Sequence, residues 1–385
     1  MKSLRHAAQF IVPALLAVGA TAGFLVLAVA RRVVTPLRQR RLDTEIFAID
    51  TGAQTIELGR TLDTELPGRY GLFTTGTYGY LKLGAVLSAD GTVVRRKLLT
   101  KVEPGASVDR AASFSGSYYT SPSELHLRWE NVLIGSPAGP CPAWFFPASS
   151  STWVIQVHGR GATRSECLRA VPVLHAAGLP NLVVSYRNDG EAPRTRTGAY
   201  ALGAAEWRDV DAAIGYALRH GAERVVLMGW SMGGAVSLQA AVNSGNRNRI
   251  AGVILESPVV DWRSVLRFQA KLNRVRPPLP DLAMRALQQP LTARLSGADE
   301  PILFDRLDMV ARADELAAPT LILHSEDDGF VPVDASRALQ EARPDLVTMP
   351  RFTVARHTKL WNYDEHGWAA AITQWLEEQG LSASA

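Results

Sequence analysis

The stretch Val225-Val-Leu-Met-Gly-Trp-Ser231-Met-Gly-Gly-Ala235 constrains this chain more than any other. An apolar, β-branched run stops at Gly-x-Ser-x-Gly, and a small-residue helical pattern (Ala235, Leu238, Ala240, Ala241) follows without a linker. A strand that passes straight into a helix around one serine must bend sharply. The bend pushes the serine Oγ out at the carboxyl edge of a sheet. Gly229 and Gly233 flank Ser231 and carry no Cβ to strike the neighbouring strand and helix, and Gly234 extends that latitude.

Such a turn needs a sheet beneath it, and the flanking sequence supplies one. Residues 129–134 and 143–146 look like a hairpin pair. Apolar runs then recur at 153–157, 181–186, 224–228, 250–255, 320–323 and 347–354. Helical patterns separate most of them, at 165–177, 206–221, 234–243 and 367–379. Near-continuous apolar strands alternating with helices predict an α/β architecture, a mostly parallel, doubly wound sheet covered on both faces. Together with the serine turn, this pattern resembles the α/β-hydrolase superfamily of serine hydrolases over residues 128–385.

The resemblance implies where the remaining chemistry lies. A serine hydroxyl is a poor nucleophile until a base takes its proton and a third group holds that base. In this family the acid and then the histidine follow the serine. His324-Ser-Glu-Asp-Asp328-Gly-Phe-Val-Pro332 resembles the family's acid loop, which makes Asp328 the expected acid, with neighbouring Asp327 as the alternative. His357 follows the last strand, where the family places its base, and His366 is the alternative. His158-Gly-Arg-Gly161 resembles the oxyanion loop, so the backbone N–H groups of Arg160 and Met232 are the expected oxyanion donors. Gly159 and Gly161 would let that backbone approach closely, although an ordinary strand-to-helix turn would also require glycine. Charges at Arg187, Asp189, Glu206 and Asp209 read as ion pairs bracing the sheet edge, and Trp230 as packing under the serine. A longer helical stretch at 258–317 resembles the cap often inserted over the site, with a plain crossover as the other reading.

Residues 42–127 differ. Short segments at Thr55–Leu58, Tyr80–Leu83 and Thr92–Val94 are broken by Gly and Pro, and Asp90-Gly91 reads as a hairpin turn. A small, mostly antiparallel β region is expected there. Ahead of it, residues 1–41 hold an uncharged apolar run, Phe10–Ala30. As a helix it would extend about 31 Å, enough for a hydrocarbon core. A retained single-pass membrane anchor is the expectation, with a cleaved signal peptide as the rival. Arg31, Arg32, Arg38, Arg40 and Arg41 on its C-terminal side place the bulk of the chain in the cytoplasm by the positive-inside bias. Gly19 and Gly23 have the spacing of a weak helix-pairing motif.

The net charge of +4 comes without a basic stripe carrying interleaved aromatics, so no nucleic-acid partner is expected. Cys141 and Cys167, the only two cysteines, read as unpaired thiols, with a disulfide between them as the alternative if the domain is exported, and no spacing suggests zinc. The expectation is therefore a cofactor-free, metal-free serine hydrolase, and its partner a small-molecule or lipid-like acyl substrate, a carboxylic ester or thioester. A peptidase of the prolyl-oligopeptidase or aminopeptidase type, an acyltransferase, and a non-catalytic membrane scaffold that kept the fold are the alternatives.

Overall fold

The computed structural model describes residues 20–36 and 39–382. A helix α1 (residues 20–34) leads into a six-stranded closed barrel, and a nine-stranded sheet flanked by helices follows. The barrel strands are β1 (Thr44–Asp50), β2 (Thr55–Gly59), β3 (Tyr70–Phe73), β4 (Tyr80–Asp90), β5 (Val93–Leu98) and β6 (Ala111–Ser115). They run in the order β1-β2-β5-β4-β3-β6, all neighbours antiparallel, and β6 closes on β1 through Thr44 opposite Ala112. Closure leaves no edge strand to pair with another chain. It was not anticipated from sequence, because no local pattern records which strand meets the first.

Alternation along β5 turns Val94, Arg96 and Leu98 inward. Arg96 is fully buried among Ile56, Leu58, Tyr70, Leu72, Leu81 and Leu83. Its guanidinium is kept there by donating to the carbonyls of Thr64, Leu66, Gly68 and, from two nitrogens, Gly84, at 2.8–3.1 Å. Burial pushes its pKa down to about 10. A buried charge is tolerated only when its donors are met, and here backbone oxygens meet them.

The larger sheet comprises β7 (Glu130–Ser136), β8 (Gly139–Phe146), β9 (Thr152–Val157), β10 (Asn181–Val184), β11 (Arg224–Trp230), β12 (Ile250–Glu256), β13 (Thr320–Ser325), β14 (Val347–Thr348) and β15 (Arg351–Phe352). Its order is β14-β13-β12-β11-β9-β10-β8-β7, with β15 also beside β13. Only the β7–β8 and β8–β10 pairings are antiparallel. The helices are α2 (Val171–Ala176), α3 (Trp207–Arg219), α4 (Met232–Asn243), α5 (Trp262–Leu272), α6 (Leu279–Gln288), α7 (Pro290–Leu295), α8 (Phe304–Leu307), α9 (Asp334–Ala342), α10 (Leu360–Tyr363) and α11 (Glu365–Glu378). Along β11, Val225 and Leu227 join a core with α3 and α4, while Val226, Met228 and Trp230 join a second core with α2 and α11. A strand buried on both faces has no polar side to show, which is why its sequence is continuously apolar.

Between β12 and β13, helices α5 to α8 occupy the stretch expected to be a cap. Trp262, Val265, Met284, Leu287 and Phe304 bury them against the α3/α4 core. Helix α6 stops at Gln288, and Pro290, whose ring cannot continue a helix, opens α7 instead.

The expectation of a membrane-spanning helix finds no support. Residues 10–19 of the apolar run, with Gly19, lie outside the described residues. Among the described residues no helix is long and apolar enough to cross a membrane. The described part continues past Ala30 as α1, whose Ala30 and Val34 are fully buried in the core shared with α3 and α4, with Val26, Leu27, Val29 and Val33 packed against it. Gly23 has open space around it.

Candidate active site

The turn around Ser231 has the geometry that its flanking residues imply. Ser231 sits between β11 and α4 at φ 51° and ψ −115°, a region costly for a residue with a side chain. Backbone bonds hold it on both sides: its N–H donates to the Glu256 carbonyl at 3.0 Å, and its carbonyl accepts from the Val259 N–H at 3.1 Å. A Cβ on Gly233 would lie 2.1 Å from the Val157 carbonyl oxygen, and one on Gly229 would lie 2.4 Å from that of Gly233. Both glycines are therefore obligatory for this close approach. Trp230 is fully buried under the turn, and its Nε1 donates to Glu256 Oε2 at 3.0 Å, as does Trp368 Nε1 at 2.9 Å. Burial pushes the Glu256 carboxyl above its usual range. Glu256 escaped the sequence reading because it ends a strand as an isolated acid with no motif.

Ser231 Oγ lies 3.0 Å from His357 Nε2, and His357 Nδ1 lies 2.7 Å from Asp328 Oδ2. These three residues come from loops after β11, β13 and β15, so only the sheet brings them together. Asp328 accepts four bonds. His324 Nε2 approaches Oδ2 at 3.2 Å, and the N–H groups of Phe330 and Val331 donate to Oδ1 at 2.8 and 2.9 Å. Burial pushes this carboxyl up, but the His357 charge and the hydrogen bonds from both histidines outweigh it and hold Asp328 well below the usual range. His324 in turn bonds Ser336 Oγ through Nδ1 at 2.8 Å. Sequence alone gave no sign that His324 bonds Asp328.

The alternatives lie elsewhere. Asp327 Oδ1 accepts from Ser325 Oγ and from the N–H groups of Ala355 and Arg356, at 2.6–3.1 Å, and so pins the backbone leading to His357. His366 is exposed on α11. The His357 turn is itself strained, with Arg356 at φ 63° and the β-branched Thr358 at φ 50°. Arg169 Nη1 takes the Thr358 carbonyl at 2.8 Å, and Ser257 Oγ accepts the Thr358 N–H at 3.1 Å. The barrel adds a brace: Asp63 reaches Arg356 and Lys359, both at 3.4 Å, on either side of His357. Asn362 Nδ2 also donates to the carbonyls of Arg69 and Gly116.

The His158–Gly161 loop packs against the serine, since a Cβ on Gly159 would lie 3.2 Å from that of Ser231. Gly161 adopts φ +71°. Among the described residues, the N–H groups of Arg160 and of Met232, the first residue of α4, donate to no protein acceptor. Free donors in a turn beside a serine Oγ can bind a developing negative charge. Glu166 Oε2 fixes the loop by accepting the Gly159 N–H at 2.7 Å. His158 stacks on Tyr186 and bonds Asp189 Oδ2 at 3.0 Å. Arg187 makes a bidentate pair with Asp209 at 2.7–2.8 Å. Arg187 and Asp189 are thus engaged with protein groups, in keeping with a bracing role. Cys141 and Cys167 are both free and buried. Among the described residues no group of three His, Cys, Asp or Glu side chains is arranged to hold a metal ion.

A cavity of about 630 Å³ adjoins this region, lined by Arg31, Thr35, Asn188, Arg194 and Thr197 among others, but not by Ser231. Ser231 itself is 7% exposed. Phe330, 47% exposed, sets its ring 5.0 Å from that of His357 and gives the surface beside the serine an apolar face.

Comparison with known proteins places these parts. An esterase from Pyrococcus furiosus superposes with a TM-score of 0.54 at 16% identity, over 68% of this chain and 94% of that one. A monoacylglycerol lipase from Paleococcus ferrophilus gives 0.46 at 22%, over 62% and 99%. An esterase from a Rhodococcus species gives 0.46 at 19%, over 65% and 99%. At 16% identity the likeness to the Pyrococcus furiosus esterase extends to the fold alone. Residues 45–115, the barrel, match a domain of unknown function (DUF8805). Residues 154–379 match the model of the Alpha/beta hydrolase family. That match takes in more than half of the 385 residues, the strained serine turn and all three hydrogen-bonded side chains, and the chain belongs to the alpha/beta hydrolase family.

Proposed function

We propose that this protein is a serine hydrolase that cleaves a carboxylic ester or thioester through an acyl-enzyme on Ser231. The observation that carries the reading is the unbroken hydrogen-bonded series Asp328–His357–Ser231, ending on a strained serine beside two free N–H groups. Ser231 Oγ attacks the carbonyl carbon while His357 Nε2 takes its proton. The carbonyl oxygen gains the negative charge and is held by the Arg160 and Met232 N–H groups. The imidazolium then returns the proton to the departing alkoxide or thiolate. Water, deprotonated by the same imidazole, releases the acid and restores Ser231. Asp328 holds Nδ1–H, so that Nε2 is free to act as base. The Phe330 ring at the mouth favours an apolar acyl group.

The test uses the full-length chain in detergent, because α1 packs into the hydrolase core and its removal would expose Ala30 and Val34. A fluorophosphonate probe should label the wild-type protein, and Ser231→Ala should abolish labelling. p-Nitrophenyl esters should then turn over faster than aminoacyl anilides. A folded wild-type sample that takes no label sinks the reading, and faster anilide turnover moves it to a peptidase.

A further inference from the structure

The oxyanion loop is fastened at several points, and all but one lie within the hydrolase portion. Glu166 takes the Gly159 N–H, and the Tyr186 hydroxyl donates to the His158 carbonyl at 3.0 Å. The exception is Arg160. Its Nη2 reaches the last turn of α1 and donates to the carbonyls of Arg32, at 3.2 Å, and Thr35, at 2.8 Å. Two further carbonyls there, those of Arg31 and Val34, are also taken. Thr35 bonds the Arg31 oxygen through N and Oγ1, and the Tyr200 N–H donates to the Val34 oxygen at 2.8 Å. Tyr200 lies under the Arg160 guanidinium, 5.9 Å from ring centroid to Cζ.

A helix C-terminus exposes unmet carbonyls and about half a negative charge, so a guanidinium there is doubly matched, as donor and as cation. The same residue supplies the N–H proposed above to hold the oxyanion. We propose that Arg160 is a positioning residue: its side chain clamps the oxyanion loop to the end of α1. The helix that precedes the barrel thereby becomes part of what keeps the Arg160 N–H aimed. The inference rests on the serine-hydrolase reading of this site. Preorganised donors act by being held in place before charge develops, and looseness of a fraction of an ångström weakens them. An unclamped loop should therefore hurt the transition state and leave substrate binding alone.

The experiment compares full-length wild type with Arg160→Met, which keeps the stem but removes charge and donors, and Arg160→Lys, which keeps both. Readouts are kcat and KM on a p-nitrophenyl ester, the endpoint of fluorophosphonate titration, and thermal melting. Arg160→Met should lower kcat about 10- to 100-fold, with KM changed less than about 3-fold. Its titration endpoint should stay complete, approached more slowly. Arg160→Lys should recover kcat to within about 5-fold of wild type. Thr35→Gly, which loosens the α1 end, should cost several-fold alone but little on the Arg160→Met background, as expected for two parts of one clamp.

A kcat for Arg160→Met within 2-fold of wild type overturns the proposal. So does a loss matched by fewer titratable sites, a rise in KM at unchanged kcat, or a lysine no better than methionine. Failure of the underlying reading looks different: the wild-type protein itself would then take no label.

Discussion

Replacing Asp328 by asparagine isolates what its charge and its two oxygens do for His357. Oδ1 accepts the N–H groups of Phe330 and Val331 at 2.8 and 2.9 Å, so an asparagine at this site keeps its single oxygen there. Its NH2 then faces His357 Nδ1, previously 2.7 Å from a carboxylate oxygen. Nδ1 must become an acceptor, the ring proton moves to Nε2, and Nε2 can no longer take the Ser231 proton. His324 Nε2 faces the same NH2 and can give its hydrogen to the Val331 carbonyl at 3.1 Å instead. Flipping the amide would restore the working tautomer but set its NH2 against two buried N–H groups. Leaving both unmet costs about 1–3 kcal/mol each, so the working form lies about 2–6 kcal/mol higher. Its population sets activity, and kcat/KM should fall between about 30-fold and about 20,000-fold. Loss of such an acid in a serine triad elsewhere costs about 10⁴, near the upper end. The assay is ester hydrolysis by Asp328→Asn beside Asp327→Asn, normalised to folded protein by circular dichroism. A drop below 10-fold for Asp328→Asn, or a larger one for Asp327→Asn, refutes the assignment of the acid.

Gly233→Ala should cost about 3 kcal/mol, because its Cβ would lie 2.1 Å from one backbone oxygen and 2.5 Å from another. Thermal melting should show a fall of roughly 6–12 °C, while Gly245→Ala, with open space around it, should leave the midpoint within about 2 °C. The His158–Asp189 pair should leave a signature in stability against pH. Although burial opposes both charges, the mutual hydrogen bond holds Asp189 below its usual range and His158 above its own. The depressed carboxyl stabilises the fold above about pH 4, and this is lost as pH falls through its folded value. The raised imidazole stabilises it below about pH 6.5, and this is lost as pH rises through its folded value. The melting difference between wild type and Asp189→Asn should therefore be greatest between about pH 4 and 6.5 and shrink on either side. A difference flat from pH 4 to 9 would refute the expected titration of the pair.

Residues 225–235 by themselves determined the strand, the turn and the helix around Ser231, because sterics there are local and a single missing Cβ decides them. The alternation of apolar runs and helices from 128 onward determined the sheet for a similar reason: strands buried on both faces are mostly apolar, and buried polar side chains such as Gln156 and Asn181 bond each other. That Ser231, Asp328 and His357 lie in loops at strand ends was also legible, since each loop follows a recognisable strand. Asp327 and Asp328, as neighbours in sequence, could be separated only by where their oxygens point. One pins the backbone before His357, and the other reaches its ring. Tertiary structure alone decided the contacts that join distant segments. Closure of the barrel, burial of Arg96 among carbonyls, the Asp63 brace on the His357 turn and the grip of Arg160 on α1 all belong to this class. Each depends on a partner whose position is fixed by packing, and no spacing in the chain encodes it. At the N-terminus packing decides likewise: α1 buries Ala30 and Val34 in the core while Phe24 and Leu25 stay exposed, a division that hydropathy alone does not give.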